Sequence, residues 1–75
     1  MKNRLKVLRA ENNLTQEQLA QSVGVSRQAI NAIETGKYDP SLPLAIKLGK
    51  LFGKPVEEIF LVEEEGYTDT MPRSR

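Results

Sequence analysis

The feature that most constrains this 75-residue chain is a joint at Gly24, where two short amphipathic stretches meet. Counting from Gln16, small or apolar side chains fall at Leu19, Ala20, Val23, Val25, Ile30 and Ile33. That spacing places them on one face of each of two helices. Helices that cross steeply over a turn of few residues need a small side chain where they approach, and Ala20 supplies it. The turn itself needs a positive φ, which Gly24 adopts without a Cβ clash. The remaining apolar residues fasten the two helices into one rigid body.

The rest of the chain reads as further short helices. Leu5 and Leu8 stand at helical spacing within a first segment from Asn3 to Asn12, and Asn12-Asn13 breaks it. Thr15 is an N-cap, with Gln18 at the capping-box position three residues later. Ser26 caps the third helix, Arg27 to Glu34, which Thr35-Gly36 closes. After a polar loop from Lys37 to Pro40, Ser41 caps a fourth helix that tolerates Pro43 in its first turn. Its expected core face is Leu44, Leu48 and Leu51, with Ala45 and Phe52 beside it, and Gly53 ends it. Pro55 opens a short fifth helix carrying Val56, Ile59 and Phe60. The expected fold is all-α: a compact five-helix domain over 1–61, with the crossed pair at 16–34, and a tail over 62–75. Within that tail Tyr67 to Met71 reads as extended and Pro72 to Arg75 as a frayed end.

Composition narrows the function. Cysteine and histidine are both absent, which excludes disulfide staples and thiolate sites and removes the commonest general base near neutral pH. A chain this short builds large pockets with difficulty, so we expect no enzyme, no metal and no cofactor. Glu57-Glu58 and Glu63-Glu64-Glu65 are sequence neighbours, which point apart on a helix and form a solvated acidic face. Met1 to Val56 holds nine basic and four acidic residues, a net charge of +5, whereas Glu57 onward carries −4. This asymmetry fits a basic body that approaches a polyanion, though a mixed solvated surface would read the same. No run of residues is long and apolar enough to cross a bilayer, and the N-terminal residues do not read as a signal peptide. The expected location is the cytoplasm.

A rigid crossed pair can project its second helix into the major groove of DNA. Here the sequence resembles the lambda-repressor-like Cro/CI (xenobiotic-response-element) regulators, whole-domain, over residues 3 to 60. The likeness is carried by Leu5-Lys6-Val7-Leu8-Arg9, Leu14-Thr15-Gln16-Glu17-Gln18-Leu19-Ala20 and Gly24-Val25-Ser26-Arg27-Gln28-Ala29-Ile30. It continues in Ile33-Glu34-Thr35-Gly36-Lys37-Tyr38, Pro40-Ser41-Leu42, Leu44-Ala45 and Pro55-Val56-Glu57-Glu58-Ile59-Phe60.

The resemblance implies double-stranded DNA as the partner, with Arg27 and Gln28 opening the recognition helix and facing base edges. Arginine matches guanine O6 and N7, and glutamine matches adenine N6 and N7, each through two groups at the right spacing. Arg27 is also compatible with a phosphate contact. Asn31 lies within reach of a base or a phosphate, and Ala32 can touch only a thymine methyl. Gln16, at the start of the second helix, matches a family glutamine that grips phosphate and supports a recognition-helix glutamine, here Gln28. Ser26, Thr35, Lys37, Tyr38 and Ser41 are further phosphate candidates, and such contacts position a protein without reading sequence. Arg9 and Glu34 match a partly buried ion pair, which is structural support.

One recognition helix reads few base pairs, so a two-fold homodimer on a near-palindromic operator is expected. Val56, Ile59, Phe60, Leu61 and Val62 carry the apolar surface for that interface, although Ile59 and Phe60 are equally suited to closing the core of one chain. The function expected is transcriptional regulation, by repression through occupancy. A second reading is an antitoxin or other protein-binding module whose segment from Glu57 to Arg75 captures a protein partner. A third, a helical adaptor, would not touch DNA.

Overall fold

A computed structural model describes residues 1–61. The chain runs β1 (Lys2–Asn3), α1 (Leu5–Glu11), α2 (Gln16–Val23), α3 (Arg27–Glu34), α4 (Leu42–Phe52), α5 (Val56–Ile59) and β2 (Phe60–Leu61). The five helices are the expected ones. Tail residues 62–75, including Val62 and the extended reading of Tyr67 to Met71, lie outside the described residues.

Local chemistry sets the boundaries. Thr15 Oγ1 accepts from the Gln18 N–H at 3.0 Å while Gln18 Oε1 accepts from the Thr15 N–H at 2.9 Å, a complete capping box. Ser26 Oγ accepts from Ala29 N–H and Ser41 Oγ from Leu44 N–H, each closing a first turn. Gly24 stops α2 at φ 79° in the left-handed region. Asn13 reaches φ 56°, a conformation that asparagine tolerates better than most residues, so the Asn12-Asn13 break is a true turn.

The core contains Leu5 and Leu8 of α1; Leu19, Ala20 and Val23 of α2; and Ile30 and Ile33 of α3. Leu44, Ala45 and Leu48 of α4 join them with Ile59 and Phe60. Each large aliphatic side chain buried here stabilises by roughly 1.5–3 kcal/mol. Leu14, Val25, Phe52 and Val56 border it.

Leu51 corrects the expected α4 face, because it is exposed. The buried arc follows the Leu44–Leu48–Phe52 row and the Ala45–Gly49 row, and Leu51 falls beyond its edge. Gly49 explains the choice of arc. A Cβ on it would lie 2.8 Å from the Lys54 carbonyl oxygen, so the chain leaving α4 can fold back only against a glycine.

The second departure is a small sheet. β1 and β2 pair antiparallel, with Lys2 opposite Leu61 and Asn3 opposite Phe60, and the Arg4 N–H donates to the Ile59 carbonyl at 2.8 Å. The first segment therefore starts as a strand, with α1 beginning at Leu5 instead of Asn3. Two-residue strands are too short for any alternation pattern to show, which hides them from sequence periodicity.

Candidate nucleic-acid interface

The crossed pair is built as the Gly24 joint requires. Ile30 and Ile33 lock α3 onto α2 through Leu19, Ala20 and Val23, leaving the opposite face of α3 in solvent. Arg27, Gln28 and Asn31 are all exposed on α3, and Ala32 is half-buried. Among the described residues neither Arg27 nor Gln28 has an internal side-chain hydrogen bond or ion pair. Their full donor and acceptor sets are open to a ligand.

α3 is held at its far end by Arg9 of α1. The guanidinium donates from Nε to Glu34 Oε2 at 2.7 Å and from Nη2 to Glu34 Oε1 at 3.3 Å. Its Nη1 donates to the Leu14 carbonyl at 2.9 Å, which ties the α1–α2 turn into the same clamp.

Gln16 departs from expectation. Its Nε2 donates to Glu34 Oε1 at 3.0 Å and to Asn31 Oδ1 at 3.1 Å, so its partners on α3 are Glu34 and Asn31, not Gln28. The reason is the carboxylate: Glu34 draws the Gln16 amide hydrogens toward the middle of α3, one turn past Gln28. Both amide hydrogens are thus engaged within the protein. The main-chain N–H groups of Gln16 and Glu17 remain, because the first turn of a helix has no intrahelical acceptors for them and Thr15 caps only Gln18. An anion is favoured there by those donors and the helix dipole. Arg27 reaches the same place: Arg9, Thr15, Gln16, Glu17 and Arg27 line one shallow depression.

The phosphate candidates divide. Thr35 Oγ1 donates back to the Asn31 and Ala32 carbonyls at 3.0 and 3.2 Å, so its hydroxyl hydrogen is taken up within α3. Ser26 and Ser41 accept helix N–H groups through their hydroxyl oxygens, leaving each hydroxyl hydrogen to donate outward. Lys37 and Tyr38 are exposed on the loop after α3.

At the C-terminal side, Ile59 and Phe60 are buried in the core of the single chain, so they offer little surface to a second one. Of the two roles open to them, their burial favours closing the core of one chain. Leu61 is exposed and Val56 is half-buried. Met1, Pro40, Leu42, Ala45, Val56 and Phe60, with Glu57 among them, line a mostly apolar depression beside them, with Leu42 69% exposed.

Sequence reasoning missed Asn3. Its Nδ2 donates to the Ile33 carbonyl at 2.8 Å and its Oδ1 accepts the Leu5 N–H at 3.0 Å. One side chain thus starts α1 and holds the end of α3. The available signal was an asparagine two residues before an apolar helical position, which favours such local turns.

Residues 5–59 match the helix-turn-helix family. An HTH-type transcriptional regulator of Methanocaldococcus jannaschii is 62% identical over 65 residues, covering 87% of this chain and 98% of that protein. YgzD of Bacillus subtilis, also named an HTH-type transcriptional regulator, is 51% identical across 87% of this chain and 98% of its own length. The cryptic phage CTXphi transcriptional repressor RstR of Vibrio cholerae is 35% identical over 76% of this chain and 51% of that protein.

Proposed function

The chain belongs to the Cro/CI-type helix-turn-helix family and is a DNA-binding transcription regulator, and from that premise we propose that it represses by occupying a near-palindromic operator as a homodimer, with α3 in the major groove. The observation that carries this reading is the pair Arg27 and Gln28, exposed side by side at the start of a helix whose other face is locked in the core. A rigid helix presenting two unoccupied bidentate groups is suited to base edges. Arg27 and Gln28 read bases, with Asn31 and Ala32 one turn further along. The Gln16 and Glu17 main-chain amides, with Ser26, Lys37, Tyr38 and Ser41, hold the flanking phosphates. The likeness to a named phage repressor supports repression as the direction of the effect.

Selection of bound sites from random duplex DNA tests this directly. The expected product is a two-fold site whose half-sites lie about 34 Å apart, one helical turn. Arg27→Ala and Gln28→Ala should each lose about 1–3 kcal/mol of discrimination at a defined base. Retention of the parent's preference by both variants would overturn the assignment.

A further inference from the structure

Four side chains form a directional chain from the interior to the DNA-facing surface. Arg9 donates two hydrogen bonds to Glu34, whose carboxylate side chain is almost fully buried and can only accept. Gln16 meets the same carboxylate oxygen at 3.0 Å, so its amide must turn nitrogen-first toward Glu34. That nitrogen carries a second hydrogen, which points to Asn31 at 3.1 Å and can meet only the oxygen of its amide. The Asn31 nitrogen is then turned away from Gln16, with no partner among the described residues. At each step the alternative orientation sets donor against donor or oxygen against carboxylate. The buried charge therefore fixes the orientation of two amides in sequence, the second of them exposed on α3.

We propose that Asn31 reads DNA with a fixed polarity, presenting its amide nitrogen to the groove, and that the Arg9–Glu34 pair imposes this polarity through Gln16. The proposal rests on the DNA-binding reading above and adds to it. An unconstrained asparagine pairs with adenine by using its nitrogen and oxygen together, on N7 and N6. Asn31 Oδ1 gives one of its two lone pairs to Gln16 and keeps the other, while the two hydrogens on its nitrogen, turned away from Gln16, suit a base edge that offers acceptors. Guanine O6 and N7 provide two, and thymine O4 provides one. The base facing Asn31 accordingly offers at least one acceptor, as guanine, thymine and adenine do, and cytosine is disfavoured because it sets only an amino group against the amide nitrogen. Gln16 is a specificity-positioning residue here, acting through Asn31, and the ion pair has a second task beyond stability.

The test is site selection from random duplex DNA with the parent, Asn31→Ala and Gln16→Ala, scored base by base. The parent should disfavour cytosine at one step of each half-site. Asn31→Ala should flatten that step, a change of about tenfold for one lost base contact. Gln16→Ala frees Asn31 to turn its oxygen to the groove, so cytosine should enter at the same step while the other steps keep their preferences. A parent that selects no sequence overturns both the DNA-binding reading and this inference. A parent with a defined site that Asn31→Ala leaves unchanged, or a Gln16→Ala variant that still excludes cytosine, overturns the inference alone. Nitrogen-15 NMR of the folded parent gives a check that needs no variant. The Gln16 side-chain amide hydrogens should exchange more slowly than those of Asn31, and the reverse order would overturn the relay.

Discussion

Arg9 Nε donates to Glu34 Oε2 across 2.7 Å, with the arginine side chain 17% exposed and the carboxylate 4%. This contact joins α1 to the last residue of α3. Replacing Arg9 with alanine leaves a carboxylate with little access to water, and also frees the Leu14 carbonyl. The expected loss is about 3 kcal/mol, at the lower end for breaking a buried pair because Arg9 retains some solvent. Arg9→Lys keeps the charge but lacks the planar fork that serves two acceptors at once, so it should lie between the parent and Arg9→Ala. Urea denaturation monitored by circular dichroism gives the order; equal stability of all three would show that the pair is dispensable.

Gly49 and Gly24 should respond oppositely to what helix propensity implies. Alanine is the better helix former by about 1 kcal/mol, and Gly49 is inside α4, where the substitution would ordinarily stabilise. The added Cβ would instead stand 2.8 Å from the Lys54 carbonyl oxygen, a main-chain atom that cannot move without displacing α5. Gly49→Ala should therefore destabilise by about 1–3 kcal/mol, as overpacking does. Gly24→Ala meets nothing within 4 Å and bears only the strain of φ 79°, about 1–2 kcal/mol. Melting temperatures of the two variants should place Gly49→Ala lower.

The helical frame was legible because every helix carries its own start and stop signals. Thr15, Ser26 and Ser41 are caps in sequence and caps in the structure, and Gly24 and Gly53 end helices in both. The Arg9–Glu34 pair was also legible, through family resemblance and not through spacing, since 25 residues separate its members. What sequence could not give were contacts decided by three-dimensional proximity alone. Asn3 looks like the first residue of a helix until its amide is seen on the Ile33 carbonyl. Gly49 looks like a weak point in α4 until Lys54 folds over it. Gln16 looks like a partner for Gln28 until the carboxylate of Glu34 turns it toward Asn31. In each case a polar or steric partner distant in sequence outweighs the local preference.

Lys37 tests the electrostatic part of the interface. It stands exposed after α3 and has no ion-pair partner among the described residues, so its charge is available to a phosphate. Binding to duplex DNA should weaken steeply with added salt as counterions are released. Lys37→Ala should weaken binding to specific and unrelated duplexes alike and make the logarithmic salt slope shallower by about one unit. Fluorescence anisotropy across a salt series measures both. An unchanged slope would remove Lys37 from the phosphate-binding set, and selective loss on one sequence would assign it to base reading.

Leu42 tests the dimer. With Ile59 and Phe60 buried in the core, the apolar surface near β2 includes Leu61, Val56, Leu42 and Met1, and Ile46 continues it one turn along α4. Leu42 and Ile46 share a helix face at the i, i+4 spacing, and a two-fold contact brings such a patch against its own copy. Because Leu42 is 69% exposed, a charge there should leave the isolated chain as stable as before. In a dimer it would face the partner's patch, where an unpaired charge is strongly disfavoured. Sedimentation of the parent should show a mass that rises with concentration, whereas Leu42→Glu and Leu61→Glu should remain at the monomer mass. Both variants should then bind a half-site as the parent does but lose the gain from joining two half-sites, because linked sites multiply affinity without new base contacts. If the parent stays monomeric at all concentrations and binds DNA one to one, the two-fold operator falls with the dimer. If the parent dimerises and neither substitution disturbs it, the interface lies away from this face of α4.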